Sequence, residues 1–120
     1  LELTPRNAEI LAELGMLYGD RKMLVDAEEK FRAAIECNPG YADYHFYLAE
    51  TLKSQGKKVE AVSEYREALA INPTYLKARF KLGQTLLELG QDEEGRENLK
   101  KVIDGAFDET LRRKAKELMA

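Results

Sequence analysis

The chain has 120 residues, one domain's worth. Its 44% hydrophobic and 34% charged residues make it too apolar for a disordered acidic tail and, at a mean hydropathy of −0.50, too polar for direct membrane insertion. Nineteen Lys and Arg against 22 Asp and Glu give a net charge of −3, without the positive excess that drives contact with nucleic acid or anionic lipid. One cysteine and one histidine supply neither an internal disulfide nor a zinc cluster, so no metal or other cofactor is expected and packing alone must hold the fold.

From the N-terminus, residues 1–7 carry Leu1 and Leu3 in slots held later by Ile35 and Cys37, and then by Leu69 and Ile71, so they read as the remnant of a preceding unit. A first helix is predicted over 7–19 from the stripe Ile10, Leu11, Leu14, Leu17 and Tyr18, ending at Gly19-Asp20. A second, over 24–37, carries Val25, Ala27, Phe31, Ala34 and Ile35 and is stopped by Pro39, since proline disfavours helix in the residue before it. Helices over 41–54 and 58–71 repeat the scheme, parted by Gly56 and closed by Pro73. Helices over 75–88 and 92–104 repeat it again, parted by Gly90. The last helix, over 109–119, has Leu111, Ala115, Leu118 and Met119 on one side and Arg112, Arg113, Lys114, Lys116 and Glu117 elsewhere, the pattern of a polar cap.

Pro5, Pro39 and Pro73 stand 34 residues apart, and the same shift superposes Leu14, Leu48 and Leu82, then Gly15, Ala49 and Gly83, then Ala27, Ala61 and Gly95. A fixed period of this length means stacked supersecondary units. Three units, 8–41, 42–75 and 76–109, precede the cap at 110–120. Small side chains in two columns let paired backbones come close, and Tyr18, Phe31 and Tyr65 are large enough to reach from one helix to the next. Helix pairs this short cannot hide their apolar stripes alone, so each must lean on its neighbour.

Such a unit resembles the tetratricopeptide repeat family. In the first unit Leu14, Gly15, Tyr18, Ala27, Phe31, Ala34 and Pro39 occupy that family's signature positions, with Leu11 in place of its tryptophan. The second keeps Leu48, Ala61, Ala68 and Pro73, with Ala49 and Tyr65 in the small and aromatic slots and His45 in the tryptophan slot. The third keeps Leu82 and Gly83, then drifts to Arg79, Gly95, Leu99, Val102 and Phe107. The resemblance implies an all-α fold, a right-handed α-solenoid of three helix-turn-helix units plus a C-terminal capping helix. It also implies a non-catalytic protein-interaction module that holds a peptide segment of a partner in a concave groove lined by the first helices.

The positions left to face that groove include Ala12 and Met16 on the first helix, Phe46, Tyr47 and Glu50 on the third, and Lys77, Phe80, Lys81, Gln84 and Leu87 on the fifth. Phe46 and Phe80, one period apart and outside the packing columns, are expected as exposed anchors, extended by Met16 and Leu87; the alternative turns both rings inward over the seam. Glu9, Glu13 and Asp20 at one end and Lys77 and Lys81 at the other predict a groove acidic at one end and basic at the other. Relatives that grip a chaperone's carboxylate tail use lysine and asparagine where this chain has Ala12, Met16 and Tyr47. Only Lys77 and Lys81 match, which favours a more apolar ligand.

Three rival classes find less support in these residues. Cys37 shares the column of Leu3 and Ile71, His45 takes a packing slot, and no phosphate loop, HExxH motif or nucleophile elbow occurs, so no enzyme is expected. Lys100, Lys101 and the basic residues of the last helix crowd one end instead of repeating along the groove, as an RNA reader would require. Self-association into a homo-oligomer through the open side of Leu11, Leu14 and Tyr18 is the leading alternative. The first residues show no charged-then-apolar leader, which is uninformative in a chain that reads as cut from a longer array; the compartment is left open, with a cytoplasmic setting favoured.

Overall fold

The computed structural model describes residues 5–120, with side chains from Arg6 onward, and the expectation for Leu1 and Leu3 lies outside them. Among the described residues there are seven helices: α1 (Pro5–Asp20), α2 (Leu24–Cys37), α3 (Ala42–Ser54), α4 (Lys58–Ile71), α5 (Leu76–Glu88), α6 (Asp92–Gly105) and α7 (Glu109–Met119). Each packs chiefly on its neighbours in chain order, giving three hairpins and a closing helix in a body of 47 × 26 × 21 Å. The architecture is the α-solenoid expected from the period.

The hairpins close at the small-residue columns. A Cβ on Gly83 would stand 2.8 Å from Leu99 Cγ and 3.0 Å from the Gly95 carbonyl oxygen, and one on Gly95 would stand 2.9 Å from Leu87 Cδ2. Neither position has room for a side chain. Gly15 is filled from the opposite helix, its virtual Cβ lying 2.7 Å from the Phe31 ring. Phe31 and Tyr65 are buried, while Tyr18 is half-buried against the same core.

The tryptophan slot is reworked into polar pairs across two hairpins. His45 Nδ1 lies 2.9 Å from Glu64 Oε1, and one period on Arg79 donates to Asn98 Oδ1 at 3.0 Å. Ion pairs between units repeat as well. Arg66 donates to both carboxylate oxygens of Glu94, at 2.6 and 3.1 Å, and Arg32 stands 4.0 Å from Glu60 one period earlier.

The turns obey the period more strictly than the glycines do. Gly56 and Gly90 take the left-handed conformation at φ 82° and 80°, and the next amide bonds back to a carbonyl five residues earlier, Lys57 to Leu52 and Gln91 to Leu86. The first turn makes the same bond, Met23 to Leu52's counterpart Tyr18, at 2.9 Å. The expected Gly19-Asp20 break is therefore corrected: α1 runs through Asp20, and the left-handed residue is Lys22 at φ 59°, in the column of Gly56 and Gly90. Its Cβ crowds the backbone in that region.

At the far end, Ala115 of α7 is buried, with Leu111, Leu118 and Met119 half-buried against the cluster of Phe80, Leu99 and Val102. Lys116, in the column of Leu48 and Leu82, is exposed. Leu48 and Leu82 are buried in that column, so α7 carries a charge where the earlier first helices are covered.

Two predictions follow from this packing. Lys22→Gly relieves the strained turn and should raise stability by about 1 kcal/mol; an unchanged or lower urea midpoint would contradict the strain. The His45 pKa is raised above 6.5, first by the hydrogen bond to Glu64 and then by that carboxylate's charge, against the opposing effect of burial. A raised folded-state pKa contributes stability that is complete below 6.5 and is lost as pH climbs through the raised value. The stability gap between the chain and Glu64→Gln should therefore be widest below pH 6.5 and narrow as pH rises through the raised value. A gap independent of pH would exclude the pair as its source.

Candidate functional site

The first helices of the three hairpins, α1, α3 and α5, carry the candidate residues. On α1, Glu9, Ala12, Glu13 and Met16 follow one another at helical three- and four-residue steps and so share one face. With Tyr44 and Tyr47 of α3, Tyr41 just before it and Asn38 after α2, that face walls a cleft of about 410 Å³. Ala12 is buried and forms its floor, Met16 is 41% exposed, and Tyr47 is half-buried. Three of the sequence-predicted residues, Ala12, Met16 and Tyr47, thus meet in one place.

The rings of the cleft are braced from behind. Tyr41 and Tyr44 meet edge to face with centroids 4.6 Å apart, and Tyr47 lies 5.6 Å from Phe31 and 6.2 Å from Phe46. Burial raises the Tyr44 and Tyr47 phenols above their ordinary value, with Glu9's charge adding at Tyr44 and Asp43's at Tyr47. Hydrogen bonding to Asp43 is the main cause at Tyr41. All three hydroxyls stay protonated near neutral pH.

The exposed-anchor expectation for Phe46 and Phe80 is corrected. They are only 4% and 7% exposed. Phe46 turns inward among Tyr65 and Tyr75, at 6.0 and 5.4 Å, and Phe80 joins the cluster under α7. Leu87 is likewise drawn into the α5–α6 seam, where Gly95 leaves the space it occupies. The physical reason is shared: large apolar side chains beside a small-residue column gain more from filling the seam than from facing water.

The remaining predicted residues lie farther along. Lys77, Lys81 and Gln84 share one face of α5. Lys77 Nζ stands 5.3 Å from the Phe46 ring centroid, and Gln84 accepts from Lys53 Nζ at 3.0 Å. Lys53 also lies 3.5 Å from Glu88. Glu50 is half-buried on α3, and its carboxylate interacts with the buried Tyr65 hydroxyl. Burial is the main cause of the raised Tyr65 pKa, and Glu50's charge adds to it. Among the described residues no three His, Cys, Asp or Glu side chains converge as metal ligands, and no helix is long and apolar enough to cross a membrane.

Sequence reasoning left Tyr41, Tyr44 and Asn38 out of the site. Tyr44 occupies the column of Ile10 and Ala78, and a ring that large in a packing column was the available signal.

Family models of the tetratricopeptide repeat match residues 30–63, 51–90 and 77–104. The chain belongs to the tetratricopeptide repeat family. No curated protein matches it in sequence. Among solved structures it is similar to the first TPR of Spaghetti (RPAP3) bound to the HSP90 peptide SRMEEVD, with 19% identity, TM-score 0.86, and 94% of this chain and 90% of that one covered. It is also similar to the Yersinia enterocolitica type III secretion chaperone SycD in complex with a peptide of the translocator YopD, with 16% identity, TM-score 0.87, and 92% and 88% covered. An alternative dimer of SycD aligns at 16% identity and TM-score 0.90 over 99% of this chain and 93% of that one. At such identities the likeness establishes the fold.

Proposed function

We propose that the chain, read as units 8–41, 42–75 and 76–109 with a cap at 110–120, is a non-catalytic protein-interaction module. It holds a peptide segment of a partner protein along α1, α3 and α5. The observation that carries this reading is the cleft floored by Ala12 and walled by Met16 and Tyr47, which is concave, largely preformed and of ligand-pocket size. Glu50, Lys77, Lys81 and Gln84 continue the path. Similar folds with bound peptides support it. The non-catalytic reading is supported among the described residues by His45 sitting in a packing slot beside Glu64 and by Cys37 half-buried against the core. A net charge of −3 favours protein over nucleic acid as the partner.

Peptides selected from a random dodecamer library should lose at least about tenfold in affinity with Met16→Arg, which blocks the cleft, and little with Val59→Arg on the exposed side of α4. Equal loss in both variants would remove the groove as the binding surface.

A second reading has its own observation. Leu17 is 57% exposed, whereas its column partners Thr51 and Thr85 are 7% and 0% exposed beneath the preceding hairpin. Ile10 and Leu14 are likewise exposed where Tyr44, Ala78, Leu48 and Leu82 are buried. We propose that a second copy of the chain covers this stripe. Light scattering should show mass rising with concentration, and Leu14→Glu with Leu17→Glu should abolish the rise. A monomer throughout the millimolar range would end this reading.

A further inference from the structure

We propose that the α1–α3 cleft takes a cationic side chain, arginine or lysine, of the bound segment. This rests on the groove reading above and adds the chemistry of the residue seated at its acidic end.

The argument begins with the columns. Ala12, Phe46 and Phe80 share one position of the repeat, and Glu9, Asp43 and Lys77 share another. At the α3–α5 junction these positions supply an aromatic ring and a cation to each other, Lys77 Nζ standing 5.3 Å from the Phe46 centroid. At the α1–α3 junction the same two positions hold Ala12 and Asp43. The ring is missing, which opens the cleft, and the lysine is replaced by a carboxylate. One junction satisfies its cation internally; the other lacks both the cation and the ring that would fill the space.

What lines the empty junction suits a cation from outside. Tyr41, Tyr44 and Tyr47 bring aromatic rings whose faces attract positive charge, and neutral phenols keep that character near physiological pH. Met16 offers an apolar wall for the methylene stem of a lysine or arginine. Glu9 and Glu13, one turn apart on the rim, repel each other on the same helix face. Among the described residues neither makes an ion pair, and Arg6, a turn before Glu9, pairs with neither. By contrast Glu28 meets Arg32 of its own helix and Lys57 of the turn before α4, and Glu60, Glu88 and Glu94 meet cations of other helices. An incoming cation relieves the repulsion and supplies the missing partner. A carboxylate-bearing side chain would meet two like charges there.

Peptides from the same random dodecamer selection test this. Those blocked by Met16→Arg should share a lysine or arginine at one position. Replacing that arginine with citrulline, or using Glu9→Gln with Glu13→Gln, should each weaken them about tenfold, and the two losses should not add. Both glutamates are exposed, so folding should be unaffected, which circular dichroism checks. If Met16→Arg blocks the peptides but they carry no common cation, or bind the double glutamine variant equally well, this inference falls and the groove stands. If no selected peptide responds to Met16→Arg, both fall together.

Discussion

The close approach of two helix backbones inside each hairpin is the constraint from which the rest of the structure descends. With the Gly83 and Gly95 columns in contact, the backbones come close and side chains of the opposite helix, Leu99 and Leu87, fill the space that the glycines leave. The hairpin's other large apolar residues must be covered by the next hairpin. A cover that is itself a copy of the covered unit propagates with the period of the sequence, so a given column meets the same kind of neighbour at every step. The inner face is then whatever the columns leave over, and its content can vary without disturbing the stack.

The period and the element types were legible because they rest on proline after a helix, glycine in a left-handed turn, and apolar spacing near 3.6 residues. The exception at the first turn obeys the same logic. Lys22 holds the conformation that Gly56 and Gly90 hold, because the covering of α1 by α2 demands that geometry whatever residue is present. Geometry imposed by packing outlasts the residue best suited to it, and a sequence reading that looks for glycine finds Gly19 instead.

The site was less legible, for a reason that concerns side-chain direction. Periodicity says that Phe46 and Phe80 share an environment but not on which side of the helix edge their rings fall. Both border a seam, and the aromatic neighbours Tyr65 and Tyr75 draw Phe46 inward. Charged side chains are easier to place on a surface than large apolar ones, because their head groups keep their hydration there: Glu9, Glu13 and Lys77 are exposed and Lys81 is half-buried. Tyr41 opens the helix expected over 41–54 but in fact precedes α3 in an extended conformation, so its ring does not follow the faces of that helix.

Polarity in the groove follows from substitution at fixed columns, with no change of fold. Exchanging a ring and a lysine for an alanine and an aspartate between successive junctions converts a filled, internally neutralised contact into an open acidic cleft. The same exchange in the opposite direction would close it. The exchange is tolerated because the column of Ala12, Phe46 and Phe80 accepts either a buried ring or an alanine that leaves a cleft, whereas the columns where Gly83 faces Gly95 and Gly15 faces Phe31 leave no room for a side chain. One repeat thus keeps its backbone architecture while presenting different chemistry at successive junctions.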